Sequence, residues 1–211
     1  MPKQSKNQTP LRLLTSVPSK DHSRLVVRYP YQTDAQYAHA YHFAAQRLAT
    51  TFGGEPIDDL LLLPFLTLYR QAFELQLKNT IRSLVSLRAN YLVGWTDDLT
   101  EAISEERFRK ELGHNLYKLL NEAKKHFTIL DLPDAFPESV EQLIIKLHEA
   151  DQAGTAFRYA GLLPDTQEYA DFPDLASLLN DDFEMLSVVI DYAEGCYQAM
   201  PTLRELQSEM Y

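Results

Sequence analysis

The stretch "LTLYRQAFELQLKNTIRSLVSL", residues 66–87, decides the fold. Leu66, Tyr69, Phe73, Leu77, Ile81, Leu84 and Leu87 recur at intervals of three and four. That is the repeat of one helix face; a strand alternates every second residue. The pattern predicts one long helix from about Ile57 to Leu92, bent at Pro64. Arg70, Glu74, Lys78 and Arg82 stand four apart on the same segment, with Glu74 before Lys78 in the order that favours a helix. Two readings stay open. The four form an exposed ladder, each pair worth roughly 0.3–0.5 kcal/mol, or a polar seam between packed helices that holds a phosphate.

The flanking sequence repeats the same period. "TDAQYAHAYHFAAQRLATTFGG" opens on Thr33 and Asp34, spaces its apolar residues helically and stops at Gly53 and Gly54. Thr100 or Ser104 starts a shorter helix to about Leu112, broken by Gly113. "HNLYKLLNEAKKHF" puts Leu116, Leu119, Leu120, Ala123 and Phe127 on one face. Another helix begins after Pro137 and ends near Gly154. The last long one runs from about Leu175 to Met200 and buries Phe183, Leu186, Val189, Ile190, Ala193 and Tyr197, and Pro201 starts a short tail helix. Residues 1–32 differ: "LRLLT" and "RLVVRY" flank "SVPSKDHS", as in a hairpin or an extended arm. The expected architecture is all-α, an N-terminal arm over 1–32 and a bundle of five or six helices over 33–211.

Composition narrows the function classes. In 211 residues, 45% hydrophobic, no run of eighteen apolar residues occurs, so no membrane partner is expected. No apolar signal core follows "MPKQSKNQTP", which reads as cytoplasmic. The single cysteine, Cys196, excludes an internal disulfide and a cysteine-built metal site, and reads as a small apolar core residue. The net charge of -10 is uneven: residues 1–130 hold 17 Lys/Arg against 13 Asp/Glu, residues 131–211 hold 3 against 17. The acidic third cannot serve as a general nucleic-acid surface and reads as a solvated face. No DNA is expected; RNA or a nucleotide would have to meet a small basic patch in the first two thirds.

Three stretches carry a family resemblance. "LYRQAFELQLKNTIRSL" holds an E-x-x-L-K core of Glu74, Leu77 and Lys78. "GHNLYKLLNEA" supplies His114, Asn115, Leu116 and Leu119, and "FRYAGLLP" supplies Arg158 and Tyr159. In that order, over roughly residues 60–200, the chain resembles the HEPN superfamily, the higher eukaryotes and prokaryotes nucleotide-binding domain. Asn115 stands where the family commonly has Asp, and Ala160 where Pro is common. The resemblance implies a helical bundle that often forms homodimers, in a bacterial defence or toxin–antitoxin setting. In active members it implies metal-independent RNA cleavage by an Arg and a His. It marks Arg70, Glu74, Lys78, Arg158 and Tyr159 as ligand-binding candidates.

Arg109, Lys110 and His114 in "RKELGH" fit the family's nuclease spacing. A histidine can take a 2′-hydroxyl proton or protonate the leaving oxygen, and an arginine can steady charge on phosphate. Active members carry this pair on a late helix, whereas here Gly113 separates Arg109 from His114. The competing reading makes His114 a helix-start residue that caps free N–H groups.

Arg158, one of the three basic residues after position 130, reads as an ion-pair hub among carboxylates or as a reader of phosphate. His39 and His42, three apart, form a metal clip only with further ligands such as Asp34 or Glu55; aromatic packing beside Tyr41 and Phe43 is the other reading. No phosphate-cradling glycine loop or zinc spacing is present, so no cofactor or metal is expected. The function expected is an interaction or regulatory module with a homodimer or protein partner. The alternatives are an endoribonuclease using Arg109 and His114, and a nucleotide-binding module.

Overall fold

The computed structural model describes residues 33–92, 105–159 and 168–209. The proposed N-terminal arm, and the start signals at Thr100 and Ser104, lie outside the described residues. Those residues form an all-helical bundle with no strand.

Helix α1 spans Asp34–Ala49. Thr33 caps it: the Gln36 amide donates to Thr33 Oγ1 at 3.3 Å and the Thr33 amide donates to Gln36 Oε1 at 3.0 Å. A 3-10 turn over Pro56–Leu61 leads into α2, Leu62–Tyr91. The helix expected from about Ile57 therefore opens as a 3-10 turn and turns α-helical at Leu62, two residues before Pro64. Proline sits there in the first turn of the α-helix, where its missing N–H has no acceptor to lose.

At 30 residues α2 is about 45 Å long and forms the spine. It packs against α1, α3 (Leu116–Ile129) and α5 (Phe172–Tyr197). The stripe of Tyr69, Phe73, Leu77, Ile81, Leu84 and Leu87 is buried, but so are Arg70, Glu74, Gln76, Thr80 and Arg88. Periodicity predicted one buried face; neighbours on several sides bury more than one.

Residues 105–112 are helical and close on a π-helical turn over Phe108–Leu112, with Gly113 at φ 56° ending it. Asn115 then caps α3, accepting from the Lys118 amide at 2.9 Å. The expected face of α3, from Leu116 to Phe127, is buried as read. Helix α4, Glu138–Ala150, stops earlier than expected, because Asp151 leaves helical geometry before Gly154. Helix α5 carries the expected buried residues from Phe183 to Tyr197, and α6, Leu203–Glu209, follows Pro201. One core joins α1–α5; a second groups Leu84, Leu87, Phe127, Leu130, Val189, Ala193 and Tyr197 at the far end of the spine. No helix among the described residues is long and apolar enough to cross a membrane.

Candidate functional site

Arg70 organises the site. It lies in the first half of α2, 5% exposed, and every arm of its guanidinium is engaged. Nη1 donates to Glu74 Oε2 at 3.2 Å, one turn along the same helix. Nη2 donates to the His114 carbonyl at 2.8 Å, which pins the turn before α3. Nε lies 3.1 Å from Asp151 Oδ2, which pins the end of α4. Two buried carboxylates thus share one buried guanidinium, the arrangement that makes burial of charge tolerable.

Glu74 is the second node. Its Oε1 accepts from Lys78 Nζ at 2.8 Å and meets His114 Nδ1 at 2.7 Å. Burial pushes this carboxyl upward, but Lys78 and His114 together hold it below its ordinary value, so it is a carboxylate at neutral pH. A carboxylate only accepts, so Nδ1 carries the proton in that bond. In the neutral ring Nε2 is then the basic nitrogen, and it has no partner among the described residues. The His114 side chain is 74% exposed above a Glu74 side chain that is 2% exposed.

The loop after α4 closes the third side. Asp151 Oδ1 accepts from the amides of Thr155 at 2.7 Å and Ala156 at 3.0 Å, winding residues 151–156 into a tight turn. Gly154, at φ 75°, lies against Arg70: a Cβ there would stand 2.9 Å from the guanidinium. Arg158 donates back to the Gly154 carbonyl and lies over the Tyr159 ring, 5.6 Å from its centroid. Thr67, Arg70, Gln71, Glu74, His114, Asp151, Ala153, Gly154 and Arg158 line one cavity of about 180 Å³.

The sequence-predicted residues divide. Arg70, Glu74, His114 and Arg158 meet at the cavity; Lys78 joins through Glu74, and Tyr159 is exposed beside Arg158. Arg82 does not belong to this group. It turns to Asp34 at 2.7 Å and Glu105 at 2.6 Å, so the four-residue ladder is two separate clusters. The exposed-ladder reading is corrected for Arg70 and Glu74, which are buried because α3 and the loop after α4 cover them. Arg109 is exposed and donates to the Glu105 carbonyl at 3.4 Å, and Lys110 pairs with Glu106. The side chains of Arg109 and His114 therefore engage different partners. The cap assigned to His114 is also corrected: Asn115 caps α3, and His114 binds Glu74. Arg158 is no ion-pair hub, since none of its described contacts is to a carboxylate.

His39 and His42 pack on aromatics as the second reading has it. Their rings lie 5.6 Å and 4.3 Å from Phe183, and His42 Nε2 lies 3.0 Å from Asn180 Oδ1. Burial lowers the His42 pKa, which favours its neutral ring. Asp34 is committed to Arg82 and Glu55 caps the 3-10 turn, so neither joins the histidines. Cys196 is half-buried against the second core.

Sequence reasoning singled out Asp151 beside Arg158 and Tyr159 in "DQAGTAFRY" but missed Gly154 as part of the site, and a second buried network. In that network Arg88 Nη1 meets His126 Nδ1 at 2.6 Å, and His126 Nε2 meets Glu122 Oε1 at 3.0 Å. Arg107 then grips the Glu122 carboxylate through two nitrogens. The guanidinium only donates, so the His126 proton sits on Nε2, facing Glu122. The signal was Glu122 and His126 at i and i+4 in "NEAKKH".

Comparison with known proteins returned no match: no family model, no curated protein and no solved structure matches the chain.

Proposed function

We infer that the protein is a HEPN-like interaction and regulatory module governed by a small phosphorylated ligand, such as a nucleotide or an RNA phosphate. One observation carries this reading. The three stretches "LYRQAFELQLK", "GHN" and "DQAGTAFRY", scattered over some ninety residues of sequence, converge on one cavity. Arg70 and Lys78 are balanced there by Glu74 and Asp151, which leaves Arg158 as the cation without a carboxylate among the described residues. A guanidinium with spare donors beside an open imidazole suits a phosphate. A homodimer or protein partner that reads the liganded state, in a defence or toxin–antitoxin setting, fits the resemblance. The test is thermal denaturation with inorganic phosphate, a nucleoside mono- and triphosphate panel and a short RNA. A binding ligand raises Tm by about 2–4 °C for a chain of this size. Arg158→Ala removes the response. No response from any ligand removes this reading.

A second reading, metal-independent RNA cleavage, is favoured by the Glu74–His114 bond. A buried carboxylate orients the ring and leaves Nε2 as a base. His114 would take the 2′-hydroxyl proton, the 2′-oxygen would attack phosphorus, and the 5′-oxygen would leave with a proton from water, giving a 2′,3′-cyclic phosphate, a free 5′-hydroxyl and a protonated His114 that returns its proton to solvent. Arg158 would steady the phosphate in the role first assigned to Arg109. Cleavage in EDTA that survives Arg109→Ala and vanishes in His114→Ala would establish it; cleavage unchanged by His114→Ala would end it.

A further inference from the structure

The outer face of α5 carries an interaction surface that the cavity does not use. Met185 and Val188 are 46% and 50% exposed, and Leu178 two turns earlier is 46% exposed. The spacing 178, 185, 188, 192 keeps these side chains and Tyr192 on one stripe. Beside it, Ala135 and Pro137 from the loop before α4 form the opposite wall of an apolar groove of about 290 Å³, floored by Phe127 and Val189. The Asp134 amide donates to Tyr192 Oη at 3.0 Å, which ties that loop to α5 and fixes the groove's width.

The rim is acidic. Asp181 and Glu184 are exposed along α5 within one turn of Met185, and Asp134 lines the groove; Asp191 and Glu194 line a separate hollow against α2. Helix α5 has no Lys or Arg, and no salt bridge among the described residues engages Asp134, Asp181 or Glu184. A second copy would bring the same carboxylates against them, which opposes self-association through this face. Apolar anchors flanked by cations would satisfy both the groove and its rim. We propose that the α5 groove docks a basic amphipathic helix of a partner protein, its aliphatic anchor seated between Met185, Val188 and Pro137 and its Lys/Arg residues on the acidic rim. The flexible Met185 side chain suits repacking around such an anchor. This inference does not rest on the ligand cavity, which lies at the other elements.

The test uses the full chain and a labelled Lys/Leu helical peptide of about 18 residues, long enough for five turns. Fluorescence anisotropy should show saturable binding that weakens as salt rises. The same composition scrambled to destroy the apolar stripe should bind about tenfold more weakly or worse, as should the amphipathic peptide to Met185→Glu/Val188→Glu. Because those positions are half exposed the variant should fold; the milder Met185→Ala/Val188→Ala, expected to weaken binding in the same direction, covers the case that it does not. Equal affinity for the ordered and scrambled peptides would mean charge attraction alone and would overturn the proposal. So would affinity unchanged by both double variants. A concentration-dependent dimer abolished by Val188→Glu would overturn it too, by assigning the groove to a second copy. Arg158→Ala should leave peptide binding unchanged, which separates this surface from the ligand cavity.

Discussion

Two buried glutamates, Glu74 on α2 and Glu122 on α3, are held by nearly the same set of groups. Each is approached by an arginine, a lysine and a histidine, and each is held below its ordinary carboxylate value against the upward push of burial. Their histidines differ. The His126 side chain is 1% exposed and uses both ring nitrogens inside the fold; that of His114 is 74% exposed and uses one. Their arginines differ in the same way. Arg107 closes on Glu122 with two donors, whereas beside Glu74 the saturated Arg70 is joined by Arg158, which has no carboxylate to face. A charge cluster that turns both nitrogens of its histidine into the fold fastens helices together. One that leaves an imidazole nitrogen and a guanidinium turned into a cavity has capacity for something else. Part of the difference lies in the loop after α4, which carries Asp151, Gly154 and Arg158 to the cavity beside Arg70, Glu74 and His114.

The largest effect should come from Arg70→Ala. It leaves the buried Asp151 carboxylate without its cation and takes one of three partners from Glu74, and breaking a buried pair costs about 3–5 kcal/mol. Urea denaturation measures this; a loss as small as that of an exposed pair would contradict the buried geometry at the first centre. Glu122→Gln comes next, at about 2 kcal/mol for lost charge-assisted bonds, with ligand response kept. Its sign with pH is fixed. The folded carboxyl titrates at about 2 against an ordinary 4.5, so Glu122 contributes fully above pH 4.5 and its contribution disappears as pH falls toward 2. The gap between wild type and Glu122→Gln should therefore close on acidification in urea melts taken across that range; a gap that widens would refute the closed centre. Gly154→Ala should cost about 1–3 kcal/mol through its positive φ and its contact with Arg70, and should weaken ligand binding by calorimetry while Glu122→Gln does not. Equal effects of both variants on binding would erase the distinction. Lys110→Ala, on an exposed pair with Glu106, should stay within about 0.5 kcal/mol and leave both centres untouched in the same assays.

The fold was largely legible because the helical period survives in every segment. Leu116 through Phe127 and Phe183 through Tyr197 lie where spacing puts them. Boundaries were less so: α4 ends where the Asp151 carboxylate gathers the Thr155 and Ala156 amides, a local bond that competes with one more turn of helix. At the site, Arg70, Glu74 and Lys78 were readable as residues but not as buried ones. The same i, i+4 spacing serves an exposed face and an inner seam, and what decides is the element lying opposite. The His114–Glu74 bond spans 40 positions and no periodicity announces it. Arg109 was chosen over Arg158 because it is near His114 in sequence, whereas the loop after α4 carries Arg158 into the cavity that His114 lines.

Gly154 gives the site a reporter of its own. The guanidinium under it and the Asp151 carboxylate before it hold the Thr155 and Ala156 amides in place. Those two protons can exchange with solvent only when the turn lifts from Arg70. Their exchange rate is therefore a clock for the opening of the cavity roof. Anything that binds beneath it slows that clock without touching the amides themselves.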